Sequence, residues 1–342
     1  MSEVEAFLDD TPGEVRGIVV RDGLYERLIV QRESDSPAYR LGAVSIGRIA
    51  RVEGAFRAAF VDLGCAGPMG FLPLSKGQSL AEGTAVEVEV AAEPREAKGP
   101  TLRLRGMGQG APRLLSDGPS VLEELARFAP DAVPVTGSDA IRASLEAEEE
   151  AMTIAHLFPS FALDLAIQRT RALIAVDLDY AHLPGRDARK GRDGANREGL
   201  VQAARLLRLK GWGGLVAIDL VGTALDPKVV SEMTRSAFGP AATVGPISRF
   251  GLLQLALPWR TRPIDDLLLE ADGTRSRMTR AIDLTRRLRL ALASDTASPR
   301  LTVRCAPQDA ENAAPLVTRL GPRAAVVADA QIAPGHPVFE QG

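Results

Sequence analysis

Apolar and polar residues alternate from Arg16 to Gln31 (RGIVVRDGLYERLIVQ), and Asp22-Gly23 interrupts the alternation midway. A period of two broken by an Asp-Gly step predicts a β-hairpin closed by a type I′ turn. Between Gly42 and Leu104 follow five more strand-like runs, GAVSIGRIARVE, AAFVDLG, GPMGFLPL, TAVEVEVAAEP and TLRLRG. Glycines separate them and no helical period intervenes, which is the layout of a small barrel. The pattern lapses over 106–118, a glycine-rich, aperiodic stretch that reads as a linker.

Helical periodicity takes over at 120–129, where Ser120 and Glu123 have capping-box spacing, and at 138–158. The second segment carries Glu148, Glu149 and Glu150, a run expected on a solvated helix face. Ala172–Asp179 (ALIAVDLD) is a nearly continuous apolar run, as in a strand buried on both sheet faces. An apolar stripe of Leu200, Ala203, Ala204 and Leu207 then marks a helix over 196–210. After Gly211–Gly214 comes a second apolar strand, Leu215–Leu220. Right-handed crossover makes this a β-α-β unit with parallel strands, so both strand-end aspartates reach one edge if the strands are neighbours. Further on, a helix is predicted at 227–238, a strand within 246–258, and a small α/β tail from helices 275–293 and 309–320 and strands LTVRC and AAVVAD. Chain ends are often poorly ordered, so no element is assigned to the last residues.

Length and composition narrow the class. The 342 residues suit two or three domains, and 45% hydrophobic with 25% charged residues is the balance of a globular chain. No apolar stretch is long enough to span a membrane, and Met1–Asp10 lacks a signal-peptide layout, so a cytoplasmic location is expected. Cys65 and Cys305 form no C-x-x-C pair and are expected to be free thiols. The net charge of −3 excludes a uniformly basic surface but not local patches.

Asp177 and Asp219 are the sharpest candidates, because each lies at the end of an apolar run and a carboxylate near a sheet core must be paired or bind a cation. Mg²⁺ suits them, being held by one or two carboxylates with waters and phosphate, and Asp179 offers a third oxygen. The same spacing also fits aspartates that cap turns or bond arginine. Eight basic residues against three acidic ones fall between Arg186 and Lys210, and a second cluster holds Arg275, Arg277, Arg280, Arg286, Arg287 and Arg289. Each reads either as a phosphate-seeking patch or as a solvated helix face. In the barrel, Phe56, Phe60 and Phe71 are candidates for stacking bases, with at least one expected in the core, while Arg95 and Lys98 could hold a strand's backbone. His156, His182 and His336 show no ligand spacing, and neither a serine-hydrolase motif nor a P-loop occurs.

Together, GRIARVEGAFRAAFVDLGCAGPMGFLPL (Gly47–Leu74), LIAVDLDYA (Leu173–Ala181), NREGLVQAARLLRLKGWGGLVAIDL (Asn196–Leu220) and ISRFGLLQLA (Ile247–Ala256) give the chain its resemblance to the ribonuclease E/G family. That resemblance implies an S1-type OB-fold barrel inserted after an N-terminal hairpin, then a DNase-I-like α/β catalytic subdomain and a small α/β tail. The corresponding divisions are 1–36, 37–107, 108–160 (linker and helices), 161–265 and 266–342. It also implies a Mg²⁺-dependent endoribonuclease, with Mn²⁺ as an alternative ion, that cuts single-stranded RNA to leave a 5′-phosphate and a 3′-hydroxyl. Asp177 and Asp219 match the family's metal-binding aspartates, and Arg249 a motif arginine that braces phosphate. Phe60 and Phe71 match its base-stacking positions, and Lys98 an RNA-gripping lysine. The chain departs from the family at Asp179, where the family has asparagine, and in lacking the C-x-x-C link, so neither zinc nor a zinc-linked dimer is expected. No segment matches the family's 5′-monophosphate pocket. Two other readings remain: an RNA-binding protein on the same scaffold with attenuated cleavage, and a phosphodiesterase of small nucleotides in which Phe60 and Phe71 are ordinary core.

Overall fold

The computed structural model describes residues 3–96, 98–181, 188–222 and 225–341. Two compact units result, one from Met1–Glu148 with Thr261–Gly342 and the other from Glu149–Arg260.

The hairpin forms as expected: β2 (Glu14–Arg21) and β3 (Leu24–Arg32) are joined through Asp22 at φ 50° and Gly23 at φ 76°, the two left-handed positions a type I′ turn requires. A strand not read from the sequence, β1 (Val4–Asp9), pairs with β2. Next, β4 (Val44–Glu53), β5 (Ala58–Asp62), β6 (Gly70–Pro73), β7 (Ala85–Ala92) and β8 (Thr101–Met107) pair in the order β4-β5-β6-β8-β7 and back to β4. This is a closed five-stranded barrel consistent with an OB-like fold. Its core contains Ile49, Val61, Leu72, Val86, Val88, Val90 and Leu102, the inward half of each alternation. The glycine-rich stretch expected to be only linker contains another strand, β9 (Arg113–Ser116). Because β5 covers only Arg48–Glu53 of β4, the edge at Val44–Ile46 is left for β9 to take. Helix α1 (Val121–Phe128) starts with the full capping box of Ser120 and Glu123. The next helix, α2 (Ser138–Met152), is shorter than its sequence pattern suggested.

In the second unit, Ala155–Phe158 form β10, because pairing with β11 (Leu163–Arg169) satisfies their backbone instead of a further helical turn. The order continues through β12 (Ile174–Tyr180), α3 (Ala188–Lys210), β13 (Gly214–Asp219), α4 (Pro227–Phe238), β14 (Thr243–Val244) and β15 (Leu252–Leu257). The sheet order is β10-β11-β12-β13-β15-β14, and the crossover through α3 makes β12 and β13 parallel. The chain then returns to the first unit with α5 (Ile264–Leu268), α6 (Arg277–Ser294), β16 (Leu301–Cys305), α7 (Pro307–Thr318), β17 (Ala324–Ala328) and β18 (Val338–Gln341). The end of the chain, to which the sequence assigned no element, joins the small sheet, with β18 antiparallel to β16. Among the described residues, no helix is long and apolar enough to cross a membrane.

Part of the polar half of the hairpin does not face water. Glu14 and Arg16 are buried, and Arg16 meets Glu14 at 2.6 Å and Glu148 of α2 at 2.6 Å. Arg286 of α6, also fully buried, reaches Asp9 at 2.6 Å and Glu14 at 2.9 Å, while Arg32 donates to Glu14 at 2.8 Å. Burial alone would push the Glu14 carboxyl up; Arg16, Arg286 and Arg32 outweigh it and hold the group far below the usual carboxylate range. The glutamate run read as a solvated face is mostly consumed in this way. Glu148 bonds Arg16 and Arg275, and within the second unit Glu150 bonds Arg205 at 2.7 Å.

Candidate metal centre and nucleic-acid surface

Strand β12 alternates strictly. Ile174, Val176 and Leu178 are buried, whereas Ala175, Asp177 and Asp179 are exposed. Val216 and Ile218 of β13 are likewise buried, and Asp219 is exposed. The expectation that these strands are covered on both faces is therefore incorrect: helix α3 packs on β11 and β12, and α4 packs against α3, leaving the opposite face open. Close approach of α3 requires Gly199, where a Cβ would stand 2.6 Å from Leu178 Cδ1. Because both carboxylates reach water, burial does not compel them to find a partner. Their placement carries the argument instead.

Asp177 and Asp219 are register partners on the parallel pair, so they project from the same face of strands about 4.8 Å apart. They line an open depression of about 430 Å³ with Ala166, Gln168, Ala175, Ala217 and Leu252. The alanines keep its floor low. Buried Asn196 of α3 fixes the far end of β13 by donating to the Val221 carbonyl at 3.0 Å and accepting from its N–H at 2.8 Å. Its place in the N-R-E-G run was visible, but its clamping role depends on a partner 25 residues away. Asp179 lies across from Asp164 on β11 and accepts from the Tyr180 N–H at 2.8 Å, so the open face carries a second carboxylate pair. Among the described residues, no group of three or more His, Cys, Asp or Glu side chains could hold a metal ion. Two carboxylates with the remaining directions open to water do fit Mg²⁺, which keeps several waters and takes one or two protein oxygens.

Arg249 sits in a tight turn entering β15, and Leu252, the first residue of that strand, is the register partner of Asp219. The turn is fixed by Ser248, whose hydroxyl accepts from Phe250 and Leu252 at 3.3 and 3.1 Å and whose N–H donates to the Leu252 carbonyl at 2.9 Å. Arg249 is exposed at its tip.

Like charges on adjacent strands are destabilising by about 0.2–1 kcal/mol. Asp177→Asn should therefore raise metal-free stability by about that amount, measured as a higher urea midpoint in EDTA at low salt. An unchanged or lower midpoint would mean that the two charges do not repel.

The basic clusters are partly spent on structure. Arg205 is buried against Glu150 and Gln202, and buried Lys210 donates to the carbonyls of Ala151 and Thr153 at 2.7 and 2.6 Å. Lys190, Arg192 and Arg197 are exposed; Arg186, Asp187, His182 and the Arg189 side chain lie outside the described residues. In the second cluster, Arg275 bonds Glu148, Arg280 bonds Asp309, Arg287 bonds Asp283, and Arg286 and Arg289 bond Asp9. Five of its six guanidinium groups are thus engaged in ion pairs, and Arg277 is exposed. Long-range ion pairing engages Arg275, Arg280, Arg286 and Arg289, which sequence proximity could not reveal.

On the barrel, none of the three phenylalanines belongs to the core, contrary to the expectation for at least one. Phe56 is exposed, while Phe60 and Phe71 are half-buried on the outer surface as register partners of β5 and β6. Their rings meet edge to face at 5.9 Å, and the Arg51 guanidinium lies 4.7 Å from the Phe60 ring centre. Arg95 and Lys98 close the β7–β8 turn through paired backbone bonds. Exposed Lys98 stands 3.8 Å from Glu96, three residues before Thr101, the neighbour of Phe71. The turn is thereby brought beside the aromatic pair.

The chain matches no protein-family model, and no curated protein matches it in sequence.

Proposed function

We propose that the protein is a Mg²⁺-dependent endoribonuclease cutting single-stranded RNA, with the second unit acting as a DNase-I-like catalytic subdomain. The observation that carries this reading is the in-register pair Asp177 and Asp219 on the open face of parallel strands, beside the turn that presents Arg249. A divalent ion bound there would polarise the scissile phosphate and lower the pKa of a water. The two carboxylates hold that charge on the sheet, and Arg249 meets a non-bridging oxygen as negative charge develops. Water oxygen bonds to phosphorus as the P–O3′ bond breaks. The attacking water gives up a proton to solvent and the leaving O3′ takes one from solvent, which gives 3′-hydroxyl and 5′-phosphate ends. In the other unit, Phe60 and Phe71 offer base-stacking faces, with Arg51, Arg95 and Lys98 as cationic neighbours for the backbone.

The test uses end-labelled single-stranded RNA with the intact protein, in Mg²⁺ and in EDTA. Metal-dependent fragments with 5′-phosphate ends are expected. One observation favours RNA binding with lost or attenuated cleavage instead, the extra carboxylate of Asp179 opposite Asp164 on the same open face; RNA bound without metal-dependent cuts would establish that alternative and end the ribonuclease reading.

A further inference from the structure

Phe250 is 89% exposed, the most exposed large hydrophobic side chain among the described residues. Apolar rings exposed singly are ordinary, but the backbone that carries this one is tied to Ser248 close to the aspartate pair. The Ser248 hydroxyl fixes its N–H, and Gly251, at φ 84°, makes the reversal that leads directly into β15. Two residues span at most about 7 Å of chain, so the ring's backbone lies within that reach of Leu252, the register partner of Asp219. Arg249 precedes it in the same exposed turn. A guanidinium and an aromatic ring on consecutive exposed residues match the two halves of a nucleotide, phosphate and base. The depression beside them is floored by alanines and, among the described residues, is lined by no aromatic side chain.

We propose that Phe250 stacks the nucleobase next to the phosphate cut at Asp177 and Asp219, and thereby sets where along a strand the cut falls. This inference rests on the ribonuclease reading. A preset turn loses little freedom on binding, so the ring acts as a ready platform. Because every base has a π face, the contact favours stacking strength over hydrogen-bonding identity, and a purine should be preferred at that position.

The experiment compares Phe250→Ala and Phe250→Trp with the parent protein on RNA oligonucleotides carrying one abasic nucleotide at successive positions. Cleavage efficiency is measured in Mg²⁺, and affinity by anisotropy in EDTA. Phe250→Ala should lower both affinity and cleavage efficiency by about 5- to 100-fold, and Phe250→Trp should restore them. One abasic position beside the cut should weaken the parent similarly, with no added loss in Phe250→Ala. Equal binding and cutting by the parent and Phe250→Ala, or an undiminished abasic penalty in Phe250→Ala, overturns the proposal. If the parent binds RNA but never cuts it, the ribonuclease reading fails, and with it the stated role beside a scissile phosphate.

Discussion

Asparagine at position 219 is expected to reduce Mg²⁺-dependent cleavage of single-stranded RNA by a factor on the order of 10²–10⁴, the scale of several kcal/mol of metal-derived transition-state stabilisation. Asn keeps the shape of the side chain and removes its charge, so RNA affinity in EDTA should hold. Asp177→Asn should behave alike, because the two residues are equivalent partners in the parallel register. Asp164→Asn, a change on the same open face but at the other carboxylate pair, serves as control and should leave cleavage intact. The loss should accompany a gain in metal-free stability, since each substitution relieves a like-charge pair. Parent-level cleavage by Asp219→Asn would exclude the aspartates from the chemistry.

The second large effect concerns the fold. Glu14→Gln should destabilise the protein by about 3–5 kcal/mol, because it leaves Arg16 and Arg286 buried without their shared carboxylate. Urea unfolding at neutral pH measures this. The pH dependence has a definite sign. In the folded protein, arginine neighbours hold Glu14, Asp9 and Glu148 below their ordinary values of 4.5, 3.8 and 4.5, despite opposing burial. Their contribution is therefore complete above those ordinary values and declines as pH falls through the lower folded ones. Stability should drop steeply below about pH 4.5, with a shallower drop in Glu14→Gln. A parent protein equally stable at pH 7 and pH 3.5 would contradict the assignment.

Local chemistry made the hairpin, the α1 cap and the β-α-β crossover legible, since an Asp-Gly turn, a Ser-x-x-Glu box and an apolar helical stripe each involve residues within one or two turns of chain. The face of β12 was misread because Ala175 and Ala217 count as apolar in a pattern yet suit an open sheet face as well as a buried one. Arg286 was misread for another reason: its carboxylate partner Asp9 lies 277 residues away. A charge pattern along one helix does not distinguish a solvated arginine from one neutralised across the fold. Phe250 lay within a quoted motif, but its exposure depends on a turn built by the Ser248 side chain. Convergence of Asp177 and Asp219 on one sheet edge was readable from the helical crossover, which makes the strands parallel, but that the strands are neighbours in register is seen only in the fold.

Binding of Mn²⁺, a spectroscopically visible stand-in for Mg²⁺, to the intact protein tests that convergence most directly. Electron paramagnetic resonance titration should detect one site in the parent and in Asp164→Asn, and none of comparable affinity in Asp177→Asn or Asp219→Asn. Undiminished binding in both of the latter variants, or no bound ion in the parent, would contradict the account.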